Sequence, residues 1–365
     1  MTGLRDQPLP ATCVAGFLFY GGKMGILYPD KPFKTYQEQI DILENRYGLI
    51  IQNKDFAECA IRSFTYYDLV NGYKDCFMVG EKYKPGTNIE QLYMFAVMDR
   101  NIQGILFKFS AIVENSFKSK LAYVISDNFG VMEDDYLNPA NYNKTHQKIH
   151  FSSVLSACDF IRNNAKKIPQ PTRHYCERHN HVPPWILFKN LSFSNSINLY
   201  QLLKPKEKEQ TAALLIKSKK ISKPDKIEFV IAALTLIRTF RNKIAHNLKF
   251  VTFKNPRIHL APKIITRIMP HELISWKDIR KQKRGINDIY AYILCLVTLL
   301  DDPFLRYFFL TELHSYLYDL ESSQTPVFVQ SCQEYYKITN LPSDFTTRLA
   351  NYLATSPFPN KFNSK

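Results

Sequence analysis

The 365-residue chain has no apolar run long enough to cross a bilayer, which takes roughly 18 to 20 residues; Ile231 to Ile237 and Leu294 to Leu300 fall far short. Ala11 to Tyr20 imitates the apolar region of a signal peptide, but Asp6 precedes it and no small-x-small cleavage site follows, so export is not expected. The seven cysteines, at positions 13, 59, 76, 158, 176, 295 and 332, are odd in number and include no C-x-x-C pair. That usage argues against a disulfide framework or a zinc ribbon and predicts reduced, mostly buried thiols in a cytoplasmic protein. No internal repeat or long low-complexity tract is visible. Strand signals are scarce too, with Lys249 to Phe253 and Ile258 to Leu260 the best candidates for a short hairpin.

Acidic residues are the remaining scarcity. There are 33 Asp and Glu against 48 Lys and Arg, a formal charge of +15. Between Lys204 and Arg284 stand 21 basic and 6 acidic residues, so this window carries the whole excess and the rest of the chain is balanced. A basic region of this density concentrates polyanions by counterion release and makes their binding salt-dependent. A charge run is also what a merely solvated surface looks like.

What the chain does have is helical periodicity and, at 45% hydrophobic, ample material for a core. Ile102, Ile105, Leu106, Phe109, Ile112, Val113, Phe117 and Leu121 keep an i, i+3, i+4 rhythm, which predicts a long helix ending before Gly130. The same rhythm runs from Ile227 to Ala245 and from Ile286 to Leu300, and shorter helices are expected at Tyr36 to Arg46, Asp55 to Phe64 and Ser152 to Lys166. Tyr136 to Tyr142 reads as a polar loop, Lys217 to Asp225 as a basic break, and the prolines at 169, 171, 183 and 184 as a non-helical connection introducing Trp185, itself expected in the core. The organisation expected is an N-terminal helical module over residues 1–95, a helical bundle over 96–320 and a C-terminal extension over 321–365 with a mobile Pro-Phe-Pro end.

The run Arg241-Asn242-Lys243-Ile244-Ala245-His246 closes the second of these helices. It sets an Arg and a His about one and a half turns apart beside a buried surface, with Asn242 four residues before His246 and able to orient its ring. RNA carries its own nucleophile. Its 2′-hydroxyl attacks the adjacent phosphorus once a group takes the proton, another stabilises the phosphorane and the 5′-oxygen is helped to leave. Arg241 offers a permanent charge and a bidentate fork for the phosphate; His246 is the proton-transfer candidate, because imidazole both takes and gives protons near neutrality. Lys249 lies three residues further on, where a neighbouring phosphate would pass. This chemistry implies no metal and no cofactor. In the plainer alternative His246 caps the helix, and Arg241 forms a structural ion pair with Glu114 or Glu228.

The R-N-x-x-x-H pattern resembles the signature of HEPN ribonucleases, and its setting resembles their Abi-like branch (AbiD/AbiF), bacterial abortive-infection proteins that act against phage. Further stretches carry the resemblance: Lys31-Pro32-Phe33-Lys34-Thr35-Tyr36-Gln37-Glu38-Gln39-Ile40, Arg46 to Ile50, Tyr66 to Tyr73, Glu114 to Tyr123, and Pro184 to Phe188 with Leu191-Ser192-Phe193. Together they cover roughly residues 31 to 250. Asp68 departs from it where a basic residue is usual, and Asn247-Leu248-Lys249-Phe250 departs from the polar and aromatic segment usual after the His. The resemblance implies an all-α, HEPN-type helical bundle with an N-terminal helical module and small insertions, acting as an endoribonuclease in antiphage defence. It implies a site of Arg241, Asn242 and His246, and a homodimer, since such sites are usually built from two facing motifs. The second candidate within the chain, Arg173 with His179 or His181, lies in the Pro-flanked connector; Cys176 with His174, His179 and His181 fits no standard zinc spacing. The expected RNA-contacting residues are Lys243, Lys249, Lys254, Lys277, Arg280, Lys281, Lys283 and Arg284, with Glu114 and Lys118 as possible support for the site. Two alternatives stay open: a noncoding-RNA-binding protein with gated or absent cleavage, and a structural adaptor in a defence or toxin system.

Overall fold

The computed structural model describes residues 31–143, 146, 148–164 and 167–355; Ala11 to Tyr20 and the Pro-Phe-Pro end lie outside them. The fold is all-α, and no helix among the described residues is long and apolar enough to cross a membrane. The N-terminal part opens with α1 (Tyr36–Asp41), started by a Thr35/Glu38 capping box, and continues without a break into a π-turn at Ile42–Arg46. Next come α2 (Lys54–Phe64), a second π-turn (Tyr67–Asn71), α3 (Gly72–Phe77) and a two-residue hairpin, β1 (Met78–Val79) against β2 (Lys82–Tyr83).

The spine is α4 (Ile89–Phe129), 41 residues long. Asn88 starts it by accepting the Gln91 N–H at 2.7 Å, and Gly130 ends it with φ +90°, a conformation that only glycine adopts without strain. The periodic residues Ile102, Ile105, Leu106, Phe109, Val113, Phe117 and Leu121 are all buried, because other helices surround it. Short segments follow as α5 (Glu133–Tyr136), α6 (Phe151–Asn163), α7 (Thr172–Arg178) and α8 (Pro184–Asn190), then α9 (Phe193–Leu202) and α10 (Pro205–Leu215). The motif helix is α11 (Lys223–Ala245); α12 (Pro262–Ile268) and α13 (Trp276–Arg280) precede α14 (Ile289–Leu299), α15 (Pro303–Glu321), α16 (Pro326–Thr339) and α17 (Phe345–Thr355). The spine packs against α8, α10, α11, α14, α15 and α16. Position 95 lies inside α4, and α16 packs on the same helix, so the N-terminal part and the C-terminal helices share one core with the bundle.

Three local expectations differ from what forms. No hairpin follows the motif: Phe250, Val251 and Leu260 are buried, and the N–H groups of Asn255 and Leu260 donate to the carbonyls of Asn287 and Ile286 instead of pairing across strands. The prolines bracket α7 rather than an irregular connection, because Pro171 precedes its first turn, where no N–H is needed, and Pro183 and Pro184 open α8. Trp185 is not core: it is 47% exposed, while Ile186, Leu187 and Phe188 of the same short helix are buried.

Asp99 ties α3 and α16 to the spine. It is 1% exposed and accepts hydrogen bonds from Tyr73 (2.8 Å), Gln103 (2.6 Å) and Tyr335 (3.3 Å). Burial pushes its carboxyl up to about 6, against the pull of those donors and of Arg100. A carboxyl raised above its ordinary 3.8 holds its proton longer in the folded state, so its stabilising contribution is complete below pH 3.8 and is lost as pH rises through about 6. Asp99→Asn should remove that loss, on the order of 2 kcal/mol between pH 4 and pH 7. Urea titrations of both proteins at the two pH values test it; identical pH dependence would show that Asp99 does not titrate in this window.

Candidate functional site

The site is assembled where α11 ends against the middle of α4. Phe240, fully buried, stacks on Tyr292 of α14 with ring centroids 4.9 Å apart and planes 7° from parallel. Tyr292 in turn donates to the Leu106 carbonyl of α4 at 3.2 Å. This anchor fixes the azimuth of α11, and so directs Arg241, the next residue, toward α4. Its Nη2 donates to Glu114 Oε2 at 2.7 Å, and its Nη1 to Asn242 Oδ1 at 3.2 Å. The guanidinium also lies 5.8 Å from the Phe107 ring centroid. Glu114 Oε1 takes Lys118 Nζ at 2.7 Å, so two cations share one carboxylate and the trio keeps a net positive charge. Lys118 and Glu114 are nearly buried, with side chains 12% and 13% exposed, whereas Arg241 keeps 30%. Arg241 Nε is buried without a hydrogen-bond partner among the described residues, an arrangement that ordinarily costs about 1–3 kcal/mol.

His246 is the C-cap of α11, with φ −100° and ψ 13°, and its N–H donates to the Asn242 carbonyl at 3.0 Å. The ring is exposed and makes no hydrogen bond among the described residues, and Asn242 spends its carbonyl oxygen on Arg241. Helix termination here is a Schellman motif: Leu248 N–H donates to Lys243 O (2.9 Å) and Asn247 N–H to Ile244 O (3.1 Å), with Asn247 at φ +54°. Asn247 then donates through its side chain to Asp68 at 2.6 Å, and Lys249 pairs with Asp75. Two N-terminal acids therefore hold the segment that follows His246. Sequence reasoning missed Asn247, whose signal was available: asparagine is the usual non-glycine residue for a left-handed C-terminal cap. A cavity of about 310 Å³ opens here, lined by Asn71, Arg100, Lys243 and Lys249 among others. Burial lowers the Lys243 pKa, and its ammonium sits 4.1 Å from the Phe253 ring centroid.

The remaining basic residues fall into two kinds. Lys254, Lys277, Arg280, Lys281 and Lys283 are exposed, with Arg280 stacked 4.8 Å from the Trp276 centroid. Arg284 is tied inward to Asp278 (3.6 Å) and Asn340 (3.1 Å), beside Arg348, which binds the same carboxylate at 2.7 Å. In the connector, Arg173 pairs with Glu177 within α7 at 3.0 Å and His179 stacks on Tyr175. Among the described residues no group of three or more His, Cys, Asp or Glu is placed to hold a metal.

Residues 60–251, from α2 to just beyond the motif, match the family described as Abi-like protein. The chain belongs to that family. The matched span contains Asp99, Glu114, Lys118, Arg241 and His246, so the Abi-like region encloses the whole ion-paired site and its N-terminal clasp. No curated protein matches the chain, and no solved structure does.

Proposed function

We infer that this Abi-like protein is a metal-independent endoribonuclease of abortive-infection defence, with a HEPN-type site of the AbiD/AbiF kind. The observation that carries this reading is the pairing of an oriented Arg241 with an unencumbered His246 at one helix end. Glu114 holds the guanidinium, and Lys118 keeps the trio cationic, so an arriving phosphate meets positive charge rather than a neutral ion pair. His246 takes the 2′-hydroxyl proton while Arg241 stabilises the charge that develops on phosphorus. The products are a 2′,3′-cyclic phosphate and a free 5′-hydroxyl.

One imidazole serves poorly as both base and acid, and a second copy of the chain would bring a second His246 to the 5′-oxygen. The assay is therefore cleavage of end-labelled RNA in EDTA over a dilution series of wild type and His246→Ala. Cutting by wild type only, with activity falling faster than protein concentration, is the expected result. A requirement for magnesium would assign a different chemistry, and activity first order in a monomeric protein would remove the dimer.

A gated enzyme is the second reading, and the clasp favours it. Lys249 is occupied by Asp75, Asn247 by Asp68, and Arg241 by Glu114, so RNA has to exchange with three carboxylates before it engages. On the gated reading Asp68→Ala/Asp75→Ala cuts faster than wild type.

Binding should be electrostatic. Neutralising Lys277, Arg280, Lys281 and Lys283 is expected to lower the slope of log affinity against log salt by ~0.7 to 0.9 for each phosphate that the protein no longer neutralises. An unchanged slope would put the RNA on another face. Arg284 belongs in a separate variant, because its removal leaves Asp278 with one partner fewer and would be read as unfolding.

A further inference from the structure

We propose that Trp185 is a stacking platform for an unpaired nucleobase of the RNA bound at Arg241. This rests on the RNA reading above and adds the substrate class, single-stranded RNA. A cavity of about 540 Å³ lies between α4 and α8, and Glu114 is one of its walls. The carboxylate that orients Arg241 thus also faces this cavity. Three side-chain pairs at i, i+4 spacing line it: Glu114 with Lys118 and Asn115 with Ser119 on α4, and Trp185 with Lys189 on α8.

The indole is the exposed aromatic face of this cavity. Trp185 is 47% exposed and has no ring or cation partner among the described residues, although its helix buries the apolar residues beside it. At the wall of a cavity, an exposed indole offers a planar apolar face that a ligand can cover. The surroundings select the occupant. An apolar peptide would leave Asn115, Ser119 and Lys189 unsatisfied, whereas a nucleotide uses each: its base stacks on the indole, its edge bonds the amide and hydroxyl, and its phosphate meets Lys189. Within a duplex both faces of an internal base are covered by its stacked neighbours, so such a base cannot enter.

The chain has two tryptophans, so a Trp276→Phe/His246→Ala variant reports on Trp185 alone and does not cut the probe. A single-stranded RNA dodecamer should quench its fluorescence to saturation. An abasic strand of equal charge should not, and a long duplex, whose only free base faces are at its two ends, should quench far less per nucleotide. Trp185→Ala should weaken binding of the dodecamer ~10-fold, read by anisotropy, with Trp185→Phe in between. Equal quenching by the abasic strand, absence of quenching by the dodecamer, or an emission that follows protein concentration alone would each overturn the proposal, the last by seating a second copy of the chain there. The two readings fail separately: a protein that never cuts RNA yet shows base-dependent quenching keeps the platform and loses the nuclease, and the reverse outcome does the opposite.

Discussion

Cleavage of RNA is expected to fall by roughly 10³-fold in His246→Ala, by a similar factor in Arg241→Ala, and scarcely further in the double variant. Independent contributions would multiply to about 10⁶; two groups acting on one phosphate in one transition state do not multiply, because losing either already removes the step the other assists. Both substitutions leave the core intact. His246 is exposed at the helix cap, and Arg241 keeps 30% of its side chain in solvent. Arg241→Ala does strand Glu114, but Lys118 still pairs with it. Single-turnover rates with labelled RNA, alongside circular dichroism to establish folding, decide the matter. A folded variant of either kind that cuts normally would end the assignment of this pair.

Phe240→Ala is expected to lower stability by about 3–5 kcal/mol, the range for removing a large buried aromatic ring. The ring is fully buried, stacked on Tyr292 and in edge contact with Phe250 (5.7 Å) and Phe253 (5.1 Å). The cavity left behind would be walled by Tyr292 of α14 and by the segment that carries Phe250 and Phe253, so its collapse would shift α11 against them, and Arg241 would move with it. Urea unfolding should show a lower midpoint at unchanged slope. Phe240→Leu should lose less stability while losing activity in proportion to the displacement of Arg241. A midpoint within error of wild type would mean that this cluster does not hold the helix.

Much of the secondary structure was legible in the sequence, because helix formation is set by signals a few residues apart. The apolar rhythm from Ile102 to Leu121 lies wholly within α4, Gly130 stops it, and Arg241 and His246 close α11 as the spacing implies. The basic window from Lys204 to Arg284 was likewise a property of composition alone. Local reading was weaker where a feature depended on what covers it. Lys249 to Phe253 and Ile258 to Leu260 resembled a hairpin, but the Asn255 and Leu260 N–H groups go to the carbonyls of Asn287 and Ile286, and Trp185 beside two prolines resembled core until α8 turned it outward.

The sequence by itself determined that this chain is helical, basic in one window and furnished with an Arg and a His at a helix end, since periodicity, charge and termination are encoded within single turns. Only the tertiary structure decided which carboxylate meets which donor. Glu114 lies 127 residues from Arg241, Asp68 lies 179 from Asn247, and Asp99 joins Tyr73 to Tyr335 across most of the chain. The physical reason is that an ion pair is specified by the azimuth of two packed helices. That azimuth is set by the fit of buried rings such as Phe240 on Tyr292, a fit that no spacing rule along one strand of sequence contains.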